Sequence, residues 1–114
     1  MDSILNTVKK MLGLSSDYDA FDTDILANIN SAFMTLMQIG VGAHKAFIVT
    51  GPDETWADFL GDNVTDLEAV KQYVYLKVRL VFDPPASSSV ADALKRACDE
   101  AEWRLNIQSD TDWS

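Results

Sequence analysis

Residues 65–85, TDLEAVKQYVYLKVRLVFDPP, decide the fold. At about 100° per residue, Val70, Tyr73, Val74, Leu76, Val78, Leu80 and Val81 cover well over half of a helical cylinder, leaving a polar stripe at Glu68, Lys71, Gln72 and Arg79. A helix with that much apolar surface needs partners on more than one side. The pattern therefore predicts a central position in a bundle or contact with a neighbouring subunit. Thr65 and Glu68 have capping-box spacing at its start. Asp83-Pro84-Pro85 ends it after Phe82, because proline lacks a donor and restricts the residue before it. Lys77 projects near the middle of the apolar arc. Either its aliphatic stem snorkels past a neighbour to water, or its ammonium meets a carboxylate across a helix or subunit contact, since an unpaired buried charge is costly.

Outward from this helix, the amino-terminal half reads as two more. The first starts at Asp2 or Ser3 as cap, shows Ile4, Leu5, Val8, Met11 and Leu12 on one face, and ends at Gly13, with Leu14 placed for the apolar contact of a Schellman motif. The second takes Asp22 as cap and Phe21 as a staple onto Leu26. Its stripe is Ile25, Leu26, Ile29, Ala32, Phe33, Leu36 and Met37, opposed by Ala27, Asn30, Ser31, Met34 and Gln38. It stops near Gly40, where the Gly40–Gly42 sequence GVG permits positive φ. Phe47 to Thr50 has the composition of a short strand, and a helical turn or two follows between Asp53 and Leu60, closed by Gly61. Ala43 to Thr65 is thus a long structured loop, a kind of segment that often carries function.

Beyond Pro85, Ala86 to Ser89 can cap a last helix with Val90, Leu94, Ala97, Cys98, Ala101 and Leu105 on one face. Residues 108–114, QSDTDWS, have no periodicity and read as a flexible tail. The expectation is an all-α fold: a small four-helix bundle over 1–107, with the long loop between its second and third helices, followed by the tail over 108–114.

A chain of 114 residues with 47% apolar or aromatic residues is large enough for one domain with one core. A single cysteine, Cys98, excludes an internal disulfide framework and any multi-cysteine metal site. The amino terminus does not resemble a signal peptide and no apolar run is long enough to span a bilayer, so a soluble chain with no membrane partner is expected. The net charge of −9 opposes a direct grip on nucleic acid. Six carboxylates with no basic residue occupy Pro52 to Val70, making an acidic flank.

Catalysis finds little support. His44 is the only histidine, which excludes a paired-histidine metal site, and it reads as exposed loop. Cys98 reads as a buried thiol. Asp99, Glu100 and Glu102 alternate with Lys95, Arg96 and Arg104 around the last helix, as on a solvated face. There is no phosphate-binding glycine loop and no EF-hand loop. A non-enzyme with no cofactor or metal is expected. The aromatic residues are more informative. Trp103 projects on the charged side of the last helix near Arg96, with Ile107 one turn on; it either lies along its own helix or under the loop, or anchors an interface, where Trp and Arg are enriched. Trp56 in the loop and Trp113 in the tail pose the same alternative.

In order, DAFDTDILANINSAFMTLMQIGVG, TWADFLGDN, AVKQYVYLKVRLVFDPP and EAEWRLN resemble the head-tail connector (adaptor) proteins of tailed bacteriophages, over Met1 to Asn106. The resemblance implies a small helical subunit of the virion that forms a ring of about twelve copies below the portal, by symmetry matching. It also implies an extended DNA channel and a surface for the tail or stopper protein. The implied partners are the portal protein, the tail or stopper protein and further copies of the chain, with DNA passing unbound. The segment after Leu105 is then the candidate portal contact, and the loop from Ala43 to Asn63 reaches a neighbour or partner. Pattern reading, not the resemblance, selects the candidate contact residues: Trp56, Phe59, Tyr75, Lys77, Arg79, Trp103, Ile107 and Trp113. The competing reading is an acidic inhibitor, a DNA mimic occupying the basic groove of a host DNA-binding protein, which needs carboxylates spread over one face.

Overall fold

The structure is a computed structural model that describes residues 3–42, 47–61, 67–82 and 84–112, with the backbone alone over 108–112. Among the described residues five helices follow in order: α1 (Ile4–Met11), α2 (Asp22–Gln38), α3 (Trp56–Leu60), α4 (Leu67–Phe82) and α5 (Ser88–Asp112). The fold is an all-α small bundle. The expected cap at Thr65, the cap alternative Asp2, the stop residue Asp83 and His44 lie outside the described residues.

α4 is the middle helix. Val70, Tyr73, Val74, Leu76 and Val78 are buried, and the helix packs against α2 and α5, with α1 as a smaller third neighbour. Its apolar surplus is therefore largely covered within the subunit. Val81 is the exception at 68% exposed. Helix α4 ends at Phe82, and Pro84 and Pro85 are non-helical, as the missing donor of proline requires.

α1 is capped by Ser3, whose hydroxyl accepts from the Asn6 amide at 3.2 Å. Its carboxyl end is a Schellman motif, with Leu14 N–H donating to the Lys9 carbonyl (2.8 Å) and Gly13 N–H to the Lys10 carbonyl (3.0 Å). α2 closes in the same way, through Val41 to Leu36 (2.9 Å) and Gly40 to Met37 (3.1 Å). Its start departs from expectation. Phe21 holds the cap position with no side-chain capping bond, and Asp22 is the first helical residue. The Asp22 carboxylate is instead engaged by Lys9, whose Nζ lies 2.9 Å away and is 1% exposed. Lys9 Nζ also donates to the Ser16 carbonyl at 3.2 Å. A buried ammonium needs both, so Asp22 serves the joint between α1 and α2. Phe21, expected to staple onto Leu26, packs edge-on against Tyr18 (5.7 Å) and Phe82 (5.3 Å).

Phe47 to Thr50 does not form a strand. Val49 exchanges both backbone hydrogen bonds with the Asn30 side chain, its N–H donating to Oδ1 at 2.7 Å and its carbonyl accepting from Nδ2 at 3.0 Å. The amide of Asn30 thereby replaces a partner strand. α3 follows, capped by Thr55 in a reciprocal box with Asp58. Phe33, Phe47, Trp56 and Phe59 form an aromatic cluster under this loop, the tightest pair being Phe33 and Phe59 at 4.4 Å between ring centroids.

α5 differs from expectation at both edges. Cys98 and Leu105 are buried and Leu94 and Ala101 partly so, but Ala97 is exposed and Val90 is 47% exposed. Only a narrow stripe touches α4. The backbone of 108–112, expected as an aperiodic tail, continues the helix. Propagation adds one hydrogen bond per residue without a new nucleus, so a helix can outrun its amphipathic part.

Gly42 combines φ of +81° with a Cβ position that would fall 2.3 Å from the Phe59 ring. Gly42→Ala is expected to destabilise the chain by about 1–3 kcal/mol, read as a lower urea midpoint at unchanged slope.

Candidate functional site

Since α4 absorbs most of its own apolar surplus, the surfaces left for a partner lie elsewhere. On α5, Cys98 and Leu105 define the buried side, and at about 100° per residue Arg96, Glu100, Trp103 and Ile107 fall on the opposite side. Trp103 is 62% exposed and Ile107 44%. Trp103 is thus neither under the loop nor buried against its own subunit. Its surroundings are of mixed charge, with Glu100 and Arg104 ion-paired one turn apart.

A second apolar surface lies on α2. Ala27, Asn30, Ser31, Met34, Met37, Phe47 and Ile48 line an open groove of 430 Å³. Met34 is 60% and Ile48 61% exposed. Sequence reasoning set Met34 on the outward side of α2 and gave it no role. The available signal was a methionine among Asn and Ser, since Met is over-used at adaptable binding surfaces. Ile48 was obscured by the expected strand.

The other candidate residues divide. Trp56 and Phe59 are buried in the subunit's own core, and Trp56 Nε1 donates to the Thr7 hydroxyl at 3.2 Å, holding the loop to α1. Tyr75 is half-buried against the core, its hydroxyl accepting from Arg79 Nη1 at 2.9 Å. Lys77 is half-buried, with Nζ 5.8 Å from the centre of the Tyr73 ring, a cation–π contact along one helix. Among the described residues no carboxylate ion-pairs with it. Trp113 lies outside the described residues. The structure brings Trp103 and Ile107 together on one face and leaves Trp56 and Phe59 inside the molecule.

Two titratable groups sit in the α4–α5 seam. Burial is the largest influence on the Cys98 thiol and raises its pKa, partly countered by nearby Lys77, which matches an inert buried thiol. Tyr73 donates to Glu102 Oε1 at 3.3 Å, so Glu102 joins the seam rather than the solvated face. Burial first, then the Glu102 charge, pushes the Tyr73 hydroxyl well above its ordinary value. Among the described residues, no group of three or more His, Cys, Asp or Glu side chains could hold a metal ion, and no helix is long and apolar enough to cross a membrane.

Among the described residues, this arrangement offers surfaces for association. A family model described as phage connector protein matches residues 4–112. The chain belongs to that family. No curated protein and no solved structure matches it significantly. Membership supports a head-tail connector role in a phage, with portal or tail components as partners and the virion as location.

Trp56→Ala is expected to cost about 3–5 kcal/mol of stability, whereas Trp103→Ala stays within about 0.5 kcal/mol of the parent, both by urea unfolding. The raised pKa of Tyr73 has a further consequence. The unfolded chain releases this proton near the ordinary value of 10.0, while the folded chain retains it. The stabilisation is therefore full below the unfolded value and is lost as pH rises past it. Urea midpoints taken between about pH 9 and about pH 11 should fall less steeply for Tyr73→Phe than for the parent.

Proposed function

We propose that this chain is the adaptor of a tailed-phage virion, forming a ring on the portal that extends the DNA channel and joins head to tail. The observation that carries the reading is the outward side of α5. In a chain of a connector family, Trp103 and Ile107 stand exposed on a long helix that only a narrow stripe holds to α4. Large aromatic side chains left in water at such a position are the usual anchors of binding energy.

The role is mechanical. Each subunit presents one face to the portal and joins its neighbours side by side, with a ring number set by the portal, about twelve copies. The net charge of −9 keeps the passing duplex from adhering, because like charge repels phosphate and there is no clustered Lys and Arg to release counterions. The acidic-inhibitor reading is weaker. Carboxylates on α5 are interleaved with Lys95, Arg96 and Arg104, which breaks up the anionic face that mimicry of DNA needs.

Sedimentation of the chain with purified portal, followed by electron microscopy, is the test. The expected outcome is a co-sedimenting complex with a ring stacked on the portal. Absence of a complex at micromolar concentrations of both would refute the assignment.

A further inference from the structure

We infer that the groove on α2 receives the Trp103–Ile107 edge of α5 from a second copy of this chain, giving the ring a head-to-tail contact. This rests on the ring reading above and specifies its joint.

The two surfaces lie on different flanks of one subunit. Ala27, Ser31 and Met34 are on the side of α2 opposite its buried Ile25, Ile29, Ala32 and Leu36, while Trp103 and Ile107 are opposite the buried stripe of α5. α4 packs against both helices, and they do not pack comparably on each other. A subunit cannot bring its own Trp103 to its own groove. A second copy can, and the contact then joins unlike surfaces, the type that propagates into a closed ring when the rotation fits.

Shape and charge both favour this occupant. A groove of 430 Å³ lies within the range of about 300–1,000 Å³ that accepts a compact organic group, and flexible Met34 and Met37 can mould to an indole. α2 carries Asp22 and Asp24 and no Lys or Arg, whereas Arg96 and Arg104 are exposed on α5 near Trp103. Pairing α2 with α2 sets acidic helix starts together with no basic residue between them. Pairing α2 with α5 instead brings Arg96 and Arg104 to an acidic helix, which lowers that repulsion.

The test uses the full chain with Ser31→Cys at the groove and Asn106→Cys beside Trp103 and Ile107, both exposed positions, in a Cys98→Ala background and again with the buried Cys98 retained. Assembly on portal is imaged and then oxidised. The expected result is a ladder of disulfide-linked multimers on a non-reducing gel from the double variant and only monomer from either single variant. Rings without a ladder in both backgrounds would overturn the contact and leave the ring standing. Dimers from either single variant would overturn it in favour of like-to-like pairing. Absence of rings for the parent chain would remove the ring reading, and this inference with it.

Discussion

The structure is organised by the need to cover α4. Its five buried side chains, from Val70 to Val78, spread over more than half of the cylinder at about 100° per residue, too wide an arc for one neighbour to shield. α2 covers one region and α5 another, with α1 beside them. Tyr73 is the hinge point: its ring is fully buried and its hydroxyl reaches Glu102 on α5. Removing α4 would leave α2 and α5 with almost nothing to hold them in one molecule.

The second constraint is Lys9. A lysine with 1% exposure must be given polar partners, and these come from Ser16 and Asp22. The loop between α1 and α2 is thereby fixed at both ends, by the Schellman turn at Gly13 and by the ion pair at the start of α2. Buried pairs of this kind add little net stability compared with an apolar substitute, but losing one partner strands the other charge. Their effect is to fix which helix face meets which. That in turn sets the direction of α2, and with it the side on which Met34 and Ser31 emerge.

The helices of α1, α2 and α4 were legible because their apolar residues recur at helical period and their ends carry glycine or proline signals. Ser3 as cap and Leu14 in the Schellman turn follow from local chemistry alone. What was not legible depends on distant partners. Asn30 satisfying Val49 spans nineteen residues, and no local pattern distinguishes that arrangement from a strand edge. Asp22 looks like a cap until Lys9 is brought beside it. Lys77 offered two readings, a snorkelling stem or a carboxylate partner, whereas the buried lysine that found a carboxylate was Lys9, at the edge of the α1 stripe. For the site, Trp103 was legible as an aromatic residue on a charged face. The groove was not, since it arises only when the loop at Phe47 and Ile48 lies along α2.

The contrast between α4 and α5 carries the functional argument furthest. α4 has apolar surface in excess and the subunit covers most of it; α5 has little, and the subunit leaves two of its large apolar side chains, Trp103 and Ile107, outside. Over residues 88–107, α5 is held by a narrow stripe and its outward side contributes almost no buried area, so the stability of the isolated subunit explains that side poorly. It is well explained when a partner supplies the missing cover. In the ring proposed above, that partner is the next subunit. Unlike surfaces on two flanks of a strongly acidic chain give that subunit a defined side to approach from.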